Sequence, residues 1–328
     1  MLLSRLPVWL AHVPAGTPAV AHANLPPLPA SDFSGGAITW HPGSPVRYLP
    51  PFSWSEFGIH WSTVIGILVM TAIYIYWMAV LRRRHGLADR WDGWRITSYV
   101  TAQLVMFFSL NGPLHDLSDD YLFSAHMVQH LLLIEVWAPL LILSLPGWTQ
   151  ARLLDWGAPG RALVWCTRPV VAFALFSVMF LIWHLQLLYG LMMRNHNVHI
   201  ATHILFMATS VLLWWPLCHG APGRPRLTEP AKMLYLFLIT VPMMPVAAFI
   251  SLADGILYPW YAVAPRVFGL TPLADQEIGG LIMWVPGNAV LWVAISVIFF
   301  RWALAQEKKD RPRTGPVGPQ DEKLVLSS

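Results

Sequence analysis

The sequence predicts an all-α membrane protein, a polytopic bundle of seven transmembrane helices with the N-terminus outside and the C-terminus in the cytoplasm. Of its 328 residues, 56% are hydrophobic and only 12% are charged, whereas soluble domains carry about 25% charged residues. Long apolar runs alternate with short basic loops, as in a chain that crosses a bilayer repeatedly. A soluble globule is therefore excluded, and the net charge of +4 reflects topology rather than nucleic-acid binding.

Composition divides the chain into three regions. Residues 1–57 are rich in Pro, Ala and Gly without a sustained period and are predicted to form an exported arm, whose residues 1–23 resemble a weak signal peptide. Residues 58–301 carry the apolar segments and form the predicted transmembrane domain. Residues 302–328 are charged and Pro-rich, which predicts a disordered cytoplasmic tail.

The transmembrane region contains seven apolar segments, each with about the 20 residues needed to cross a ~30 Å hydrocarbon core at 1.5 Å per residue. The second segment is the least regular, because Asn111-Gly112-Pro113 interrupts it. In chain order the segments are 58–81, 95–113, 121–145, 169–193, 198–219, 233–253 and 277–300.

The distribution of basic residues predicts the orientation. If the first segment runs inward, 17 of the 21 Lys and Arg residues fall on the inner side. Such an excess of basic residues is typical of cytoplasmic loops. The outer side keeps only Arg5, Arg47, Arg194 and Arg266.

Histidines concentrate at the predicted outer ends of the helices. His126 and His130 form one pair at i,i+4 spacing, and His199 and His203 form another. Such residues lie one turn apart on one helix face, so both imidazoles of a pair can reach one ion. His184 lies in the outer half of the fourth segment. Since neutral imidazole binds copper, zinc and haem iron, we predict these five histidines as metal ligands.

Other residues near the outer side are candidate accessory ligands. The carboxylates around loop 254–276 could attract a cation, although Asp275 and Glu277 are equally suited to capping the seventh helix. The five predicted ligands and the accessory histidines could also bind no metal and serve only to join helices through hydrogen bonds. Cys166 and Cys218 lack the spacing of a thiol metal site. The accessory candidates are His60, His115, His196, Asp254, Asp275, Glu277 and Met127.

Six blocks, in order along residues 55–300, resemble the CtaG family of cytochrome c oxidase assembly proteins. This is the polytopic type and not the single-span thiol chaperone that shares the name, whose cysteine pattern this chain lacks. The blocks are FSAHMVQHLLLIEVWAPLLIL (123–143), WHLQLLYG (183–190), HIATHILF (199–206), WWP (214–216), SLADGILYPWYA (251–262) and LTPLADQEIGGLIMWVPG (270–287).

The resemblance implies a non-enzymatic assembly factor of the bacterial inner membrane that serves haem–copper oxidases. It implies nascent oxidase subunits as partners, a copper donor on the outer side, and transient copper as the cofactor. The family's histidines carry over to the five named above, and its acidic residue to Asp275. The chain departs from the family pattern at Gln186, Gly190 and Thr202, where related sequences often have Pro, an acidic residue and Glu.

Two other functions fit the same histidines. Facing imidazoles on neighbouring helices could ligate haem, which would make the chain a haem-binding membrane oxidoreductase. A scaffold without any cofactor would use the histidines only to connect helices. We find no Ser/His/Asp ordering, no phosphate-binding glycine loop and no acidic pair with an obvious substrate path in the sequence, so no catalytic residue is predicted.

Overall fold

The computed structural model describes residues 49–84 and 92–310. Within these ranges the chain is helical and contains no β-strand, which confirms the all-α prediction. Most of the predicted N-terminal arm, including the signal-like segment, lies outside the described residues, as do residues 85–91 and 311–328. The last helix continues through Asp310 and so includes the first part of the segment predicted as a disordered tail.

In the two described ranges, four π-helical turns extend or join the α-helices. The α-helices are α1 (Trp61–Ile75), α2 (Arg82–Arg84), α3 (Gly93–Leu110), α4 (Pro113–Asp116), α5 (Phe123–Leu131), α6 (Ala138–Ser144), α7 (Gly147–Leu154), α8 (Gly157–Cys166), α9 (Pro169–Trp183), α10 (Gln186–Arg194), α11 (His196–Cys218), α12 (Glu229–Ser251), α13 (Pro259–Ala262), α14 (Pro272–Ile282) and α15 (Asn288–Asp310). The π-helical turns are Tyr76–Leu81, Leu117–Tyr121, Leu132–Trp137 and Met283–Gly287.

Several helical stretches have the length and hydropathy of membrane spans. Helices α8 and α9 form a further candidate together, although they are bent by 78°. Helix α3 occupies the position of the predicted second segment. The count of seven and the orientation therefore stay predictions. Among the residues that the structure describes, the five stretches that qualify singly are Trp61–Val80, Phe123–Ser144, His196–Cys218, Glu229–Ser251 and Pro272–Lys309.

The fourth predicted segment, 169–193, is broken in the structure. Helix α9 ends at Trp183 and α10 begins at Gln186, because the backbone of Leu185 is extended. The break frees the carbonyl of His184 from the helical ladder, and it accepts a hydrogen bond from the Tyr258 hydroxyl at 3.0 Å. The prediction of one continuous helix over 169–193 is therefore wrong, and a tertiary hydrogen bond occupies the His184 carbonyl at the break.

The helices pack around one large apolar core to which α3, α5, α6, α9, α11 and α12 contribute. Helix α5 packs against α14, while α11 packs against α6 and α9. Several polar side chains are buried with the apolar ones, and His126, Gln129 and Thr202 have no exposed surface. Polar groups inside a membrane bundle normally face its interior, because lipid offers them no partner.

Polar contacts distinguish the two ends of the bundle. At the predicted inner end, Arg95 donates from Nη1 to the carbonyls of Leu143 and Leu145 at 3.0 and 2.9 Å. These bonds satisfy carbonyls that the end of α6 leaves without helical partners. At the other end, the backbone N–H of His60 donates to Asn111 Oδ1 at 2.7 Å, which joins the start of α1 to the end of α3.

Candidate functional site

The two histidine pairs meet in the interior of the bundle, and we refer to His126, His130, His199 and His203 as the histidine quartet. Helix α5 carries the first two and α11 the last two. Between the helices, the rings of His130 and His203 are nearly parallel with centroids 5.2 Å apart. The ring of His126 lies 6.1 Å from those of both His199 and His203. The structure thus brings four of the five predicted ligands into one group.

Hydrogen bonds within the quartet run along each helix. The Nε2 atoms of His126 and His130 are 2.7 Å apart, and those of His199 and His203 are 2.8 Å apart. His126 is fully buried, and the Nδ1 atoms of His126 and His203 have no hydrogen-bond partner among the described residues. Because both bonds are intrahelical, they do not connect α5 to α11, and they leave two buried nitrogens unsatisfied.

A carboxylate lies between the quartet and another histidine. Gln129 donates from Nε2 to the carbonyl of Ser109 at 2.6 Å and contacts His115 Nδ1 at 2.9 Å. Since a carbonyl only accepts, the amide NH2 faces both groups and the proton of neutral His115 resides on Nε2. Asp119 Oδ2 lies 3.4 Å from Nε2 of His115 and also 3.4 Å from Nδ1 of His199. The carboxylate therefore favours His199 with its proton on Nδ1 and the lone pair of Nε2 directed into the quartet.

His115 lies in the connection between α3 and α5, where it is neutral at pH 7. Burial lowers its pKa to about 4, the carboxylate of Asp119 opposes this shift, and the nearby His60, His199 and His196 add to it. Because this pKa is below the ordinary value of 6.5, the folded state binds fewer protons than the unfolded chain at intermediate pH. The contribution of His115 to stability is therefore lost as the pH falls from about 6.5 towards 4.

A cavity of about 210 Å³ adjoins the quartet. It extends from the exposed side chain of His196 to the buried ring of His203, so its polar wall leads from the surface to the quartet. The lining residues are His60, Ser62, Thr63, Gly66, Met106, Leu110, His115, Asp119, His196, His199, Ile200, His203, Ile204 and Met207.

The π-helical turn Leu117–Tyr121 positions Asp119. Trp260 donates from Nε1 to the carbonyl of Asp119 at 2.7 Å, and the Tyr261 hydroxyl donates to the carbonyl of Ser118 at 2.7 Å. The Tyr261 hydroxyl also lies 2.9 Å from that of Tyr189. Single π-helical turns are frequent at functional sites, and here two neighbouring side chains of α13 hold one in place.

Asp275 caps the helix that carries the first histidine pair. Its Oδ2 accepts from the backbone N–H of Phe123 at 2.7 Å, and its Oδ1 accepts from the backbone and hydroxyl of Ser124 at 3.1 and 2.5 Å. The side chain is 2% exposed. The N-terminus of Asp275's own helix is capped instead by Thr271, which accepts from Ala274 N–H. Asp275 lies in the first turn of its own helix, where a carboxylate favours the helix dipole, and it also caps α5 across the interface between α5 and α14.

Replacing Asp275 with Asn is expected to destabilise the protein by about 1–3 kcal/mol, because an amide has one accepting oxygen and no charge to oppose the α5 N-terminus. Unfolding of detergent-solubilised protein by added SDS measures the change. Asp254→Asn, at an exposed acidic residue in the neighbouring loop, is the matched control and should change stability by less than about 0.5 kcal/mol. Equal effects of the two substitutions would contradict the capping role.

The other predicted site residues are distributed around the quartet. His184 bonds through Nδ1 to the carbonyl of Phe180 at 2.7 Å, which leaves Nε2 free of that bond, and it is within electrostatic range of His126 and His130. The ring of His60 lies 4.1 Å from that of His115. Met127 is 1% exposed and packs in the apolar core.

The loop carboxylates are placed differently. Asp254 is exposed in the connection after α12, and Glu277 is half-buried in α14. The contacts of the quartet in the described part of the chain include neither of them. Sequence reasoning missed Asp119 and Gln129, although Ser118-Asp119-Asp120 immediately precedes the helix of the first histidine pair. The acidic residues of this run were the sequence feature that could have pointed to Asp119.

Metal binding requires a rearrangement of the quartet. Within residues 49–84 and 92–310, no three His, Cys, Asp or Glu side chains are arranged to hold one ion. Each Nε2 pair is at hydrogen-bond distance, whereas a tetrahedral ion with bonds of about 2.0–2.1 Å separates its ligand nitrogens by about 3.3 Å. The chemistry nevertheless fits a borderline metal, because the donors are imidazoles and two Nδ1 atoms are unpartnered. The required opening is about half an ångström in each pair.

The fold and this arrangement define a polytopic helical membrane protein with a buried group of histidines at one end of its bundle. The chain belongs to the Caa3_CtaG family, the cytochrome c oxidase caa3 assembly factors, whose family model matches residues 72–305. This match confirms the resemblance seen in the sequence blocks.

Curated relatives occur in mycobacteria. An uncharacterized protein of Mycobacterium bovis is 25% identical over 256 residues, which cover 72% of this chain and 38% of the relative. An uncharacterized protein of Mycobacterium leprae is 25% identical over 241 residues, covering 67% of this chain and 36% of the relative. The chain thus spans less than two fifths of the length of these relatives. No solved structure matches it.

Proposed function

We propose that this protein holds copper transiently at the histidine quartet and delivers it to a nascent haem–copper oxidase subunit. The observation that carries the proposal is the convergence of four imidazoles from α5 and α11 beside a cavity that reaches the surface. The family assists cytochrome c oxidase assembly, and imidazole is a good copper ligand. We further propose a copper donor on the outer side, a bacterial inner-membrane location and no catalytic activity.

The path of the ion follows the polar wall of the cavity. Exposed His196 receives copper at the mouth, His115 and Asp119 lie midway, and His199 and His203 connect this wall to the quartet. Neutral imidazoles exchange copper without a change of its oxidation state, so the transfer needs no redox partner. A site used for delivery must release its cargo, and the paired Nε2 atoms can return to their mutual hydrogen bonds once copper leaves.

The dimensions of the site favour an ion over haem. A cavity of about 210 Å³ is smaller than the roughly 300–1,000 Å³ typical of pockets for organic ligands. A scaffold that uses the histidines only to connect helices is less consistent with the intrahelical direction of both Nε2 bonds. Haem binding and the cofactor-free scaffold therefore serve as the alternative outcomes of the experiment.

The proposal is tested on protein purified without chelator, by metal analysis, an optical spectrum and titration with Cu(I). We expect stoichiometric Cu(I) binding and no Soret band. An intense Soret band would indicate haem ligation instead. If the protein takes up neither copper nor haem, the cofactor-free scaffold is the function that remains.

Asp119→Asn is expected to weaken Cu(I) binding by about 10–100-fold, the range for loss of a group that orients a metal-bound histidine. The carboxylate stabilises the Nδ1 proton of His199, so the amide no longer enforces the tautomer that presents Nε2 to the metal. Competition with a chromogenic Cu(I) chelator measures the affinity. Asp116→Asn, one turn earlier, is the matched control, and an equal loss in both variants would show that Asp119 does not orient His199.

A further inference from the structure

A second cavity lies towards the other end of the bundle, far from the quartet. Its volume is about 550 Å³, and its walls come from α11, α12 and α15. On α11 the cavity begins at Trp214, eleven residues after His203, which corresponds to about 16 Å along the helix axis. No step of the copper proposal uses this cavity.

Each wall is one face of a helix. Trp214, Leu217 and Cys218 of α11 have i,i+3,i+4 spacing, and Arg301, Ala305 and Lys309 of α15 follow one another at intervals of four residues. Helix α12 packs against α15, whereas α11 packs mainly against α6 and α9. An opening therefore remains between α11 and the pair formed by α12 and α15.

The cavity combines an apolar wall with a basic rim. Lys232 pairs with Glu229 at 2.7 Å, which offsets one positive charge. Arg301 and Lys309 are exposed, and the structure shows no carboxylate paired with either of them among the side chains that it describes. The positive charges of Arg301 and Lys309 therefore remain at the rim, and the apolar wall of the cavity includes Ala294.

A buried polar group without a hydrogen-bond partner among the described residues supports the inference that this cavity binds a ligand. Trp214 lines the cavity and is 7% exposed, yet its indole Nε1 has no hydrogen-bond partner in the described part of the chain. Trp302 lines the same cavity. Tryptophans are enriched where lipid headgroups meet acyl chains, since one part of the ring is apolar and the N–H is a donor.

We propose that this cavity binds one anionic phospholipid, with its phosphate at Arg301 and Lys309 and an acyl chain along the apolar wall. A free anion would use only the rim, whereas the apolar wall formed by Leu236, Ala294 and Val297 matches a hydrocarbon chain. The predicted topology places the rim in the cytoplasmic leaflet, where basic pockets between helices bind anionic headgroups.

The test uses the full chain, purified in detergent and delipidated. Titration with palmitoyl-oleoyl phosphatidylglycerol is expected to raise the midpoint of thermal unfolding at lower lipid concentration than titration with the matching phosphatidylcholine. Arg301→Gln and Lys309→Gln are each expected to weaken the apparent affinity for phosphatidylglycerol about fivefold, which corresponds to about 1 kcal/mol per cation. Arg161→Gln, at an exposed arginine of α8 that does not line the cavity, should leave the affinity unchanged.

A second variant separates the acyl wall from the charged rim. Ala294→Trp fills part of the apolar wall without removing a charge and should weaken phosphatidylglycerol binding while both rim cations remain. Equal responses to the two lipids, an unaltered affinity in Ala294→Trp, or a full response to inorganic phosphate alone would each overturn the proposal. Cu(I) titration of the same variants is unaffected if the two sites are independent.

Discussion

Alanine at both His126 and His203 is expected to reduce the Cu(I) affinity of the purified protein by more than about 100-fold. Changes to groups that only orient a metal ligand cost about 10–100-fold, and this double substitution removes two ligands outright. His126 and His203 come from different helices, and their Nδ1 atoms are buried without a hydrogen-bond partner among the described residues. Their removal therefore leaves one imidazole on each helix and no intact i,i+4 pair.

The measurement is competition against a Cu(I) chelator, combined with the copper content of oxidase assembled in cells that carry the variant. His219→Ala is the matched control, because His219 follows α11 at the other end of the bundle beside Trp215. We expect the control to bind copper normally. Normal metalation of the oxidase by the double variant, with normal SDS-induced unfolding, would refute the proposed role of the quartet.

Gly279→Leu is expected to destabilise the protein by about 3 kcal/mol or more through overpacking. A Cβ atom at Gly279 would stand 2.4 Å from Cδ1 of Phe123 and 3.3 Å from Cα of Ser124. Phe123 cannot easily yield, since it is 1% exposed and stacks on Tyr258 with centroids 4.5 Å apart. Helices α5 and α14 would have to separate.

SDS-induced unfolding of the detergent-solubilised protein measures this change as well. Gly255→Leu provides the control, because a Cβ atom at Gly255 would meet nothing within 4 Å. We expect the control to unfold like the unaltered protein. A Gly279→Leu protein of unchanged stability would show that the contact between α5 and α14 is looser than the structure indicates.

The block LTPLADQEIGG has a structural role next to the histidine quartet. Asp275 caps α5 and Gly279 allows α14 to approach it, so the block sets the position of the helix that carries His126 and His130. Substitutions in this block should therefore lower the free energy of unfolding. They should lower the copper affinity only to the extent that they displace α5. Comparing the Asp275→Asn and Asp119→Asn proteins separates these two kinds of effect.

Predictions from local pattern succeeded where the physics is local. The low charge and long apolar runs indicate membrane helices, and the spacing of four residues places each histidine pair on one face. The break at His184 was missed, and the group that bonds to the freed carbonyl, the hydroxyl of Tyr258, comes from a distant part of the chain. The bonds from Asp275 to α5 were not predicted for the same reason, since its partners lie about 150 residues earlier.

The sequence by itself determined the class of protein, the family and the two histidine pairs, because hydropathy and helical spacing depend on neighbouring residues. Only the tertiary structure decided that α5 and α11 face each other, that Asp119 lies between His115 and His199, and that Asp275 caps α5. Contacts between helices depend on how side chains fill the space between them, and the period of a single helix carries no information about its partner.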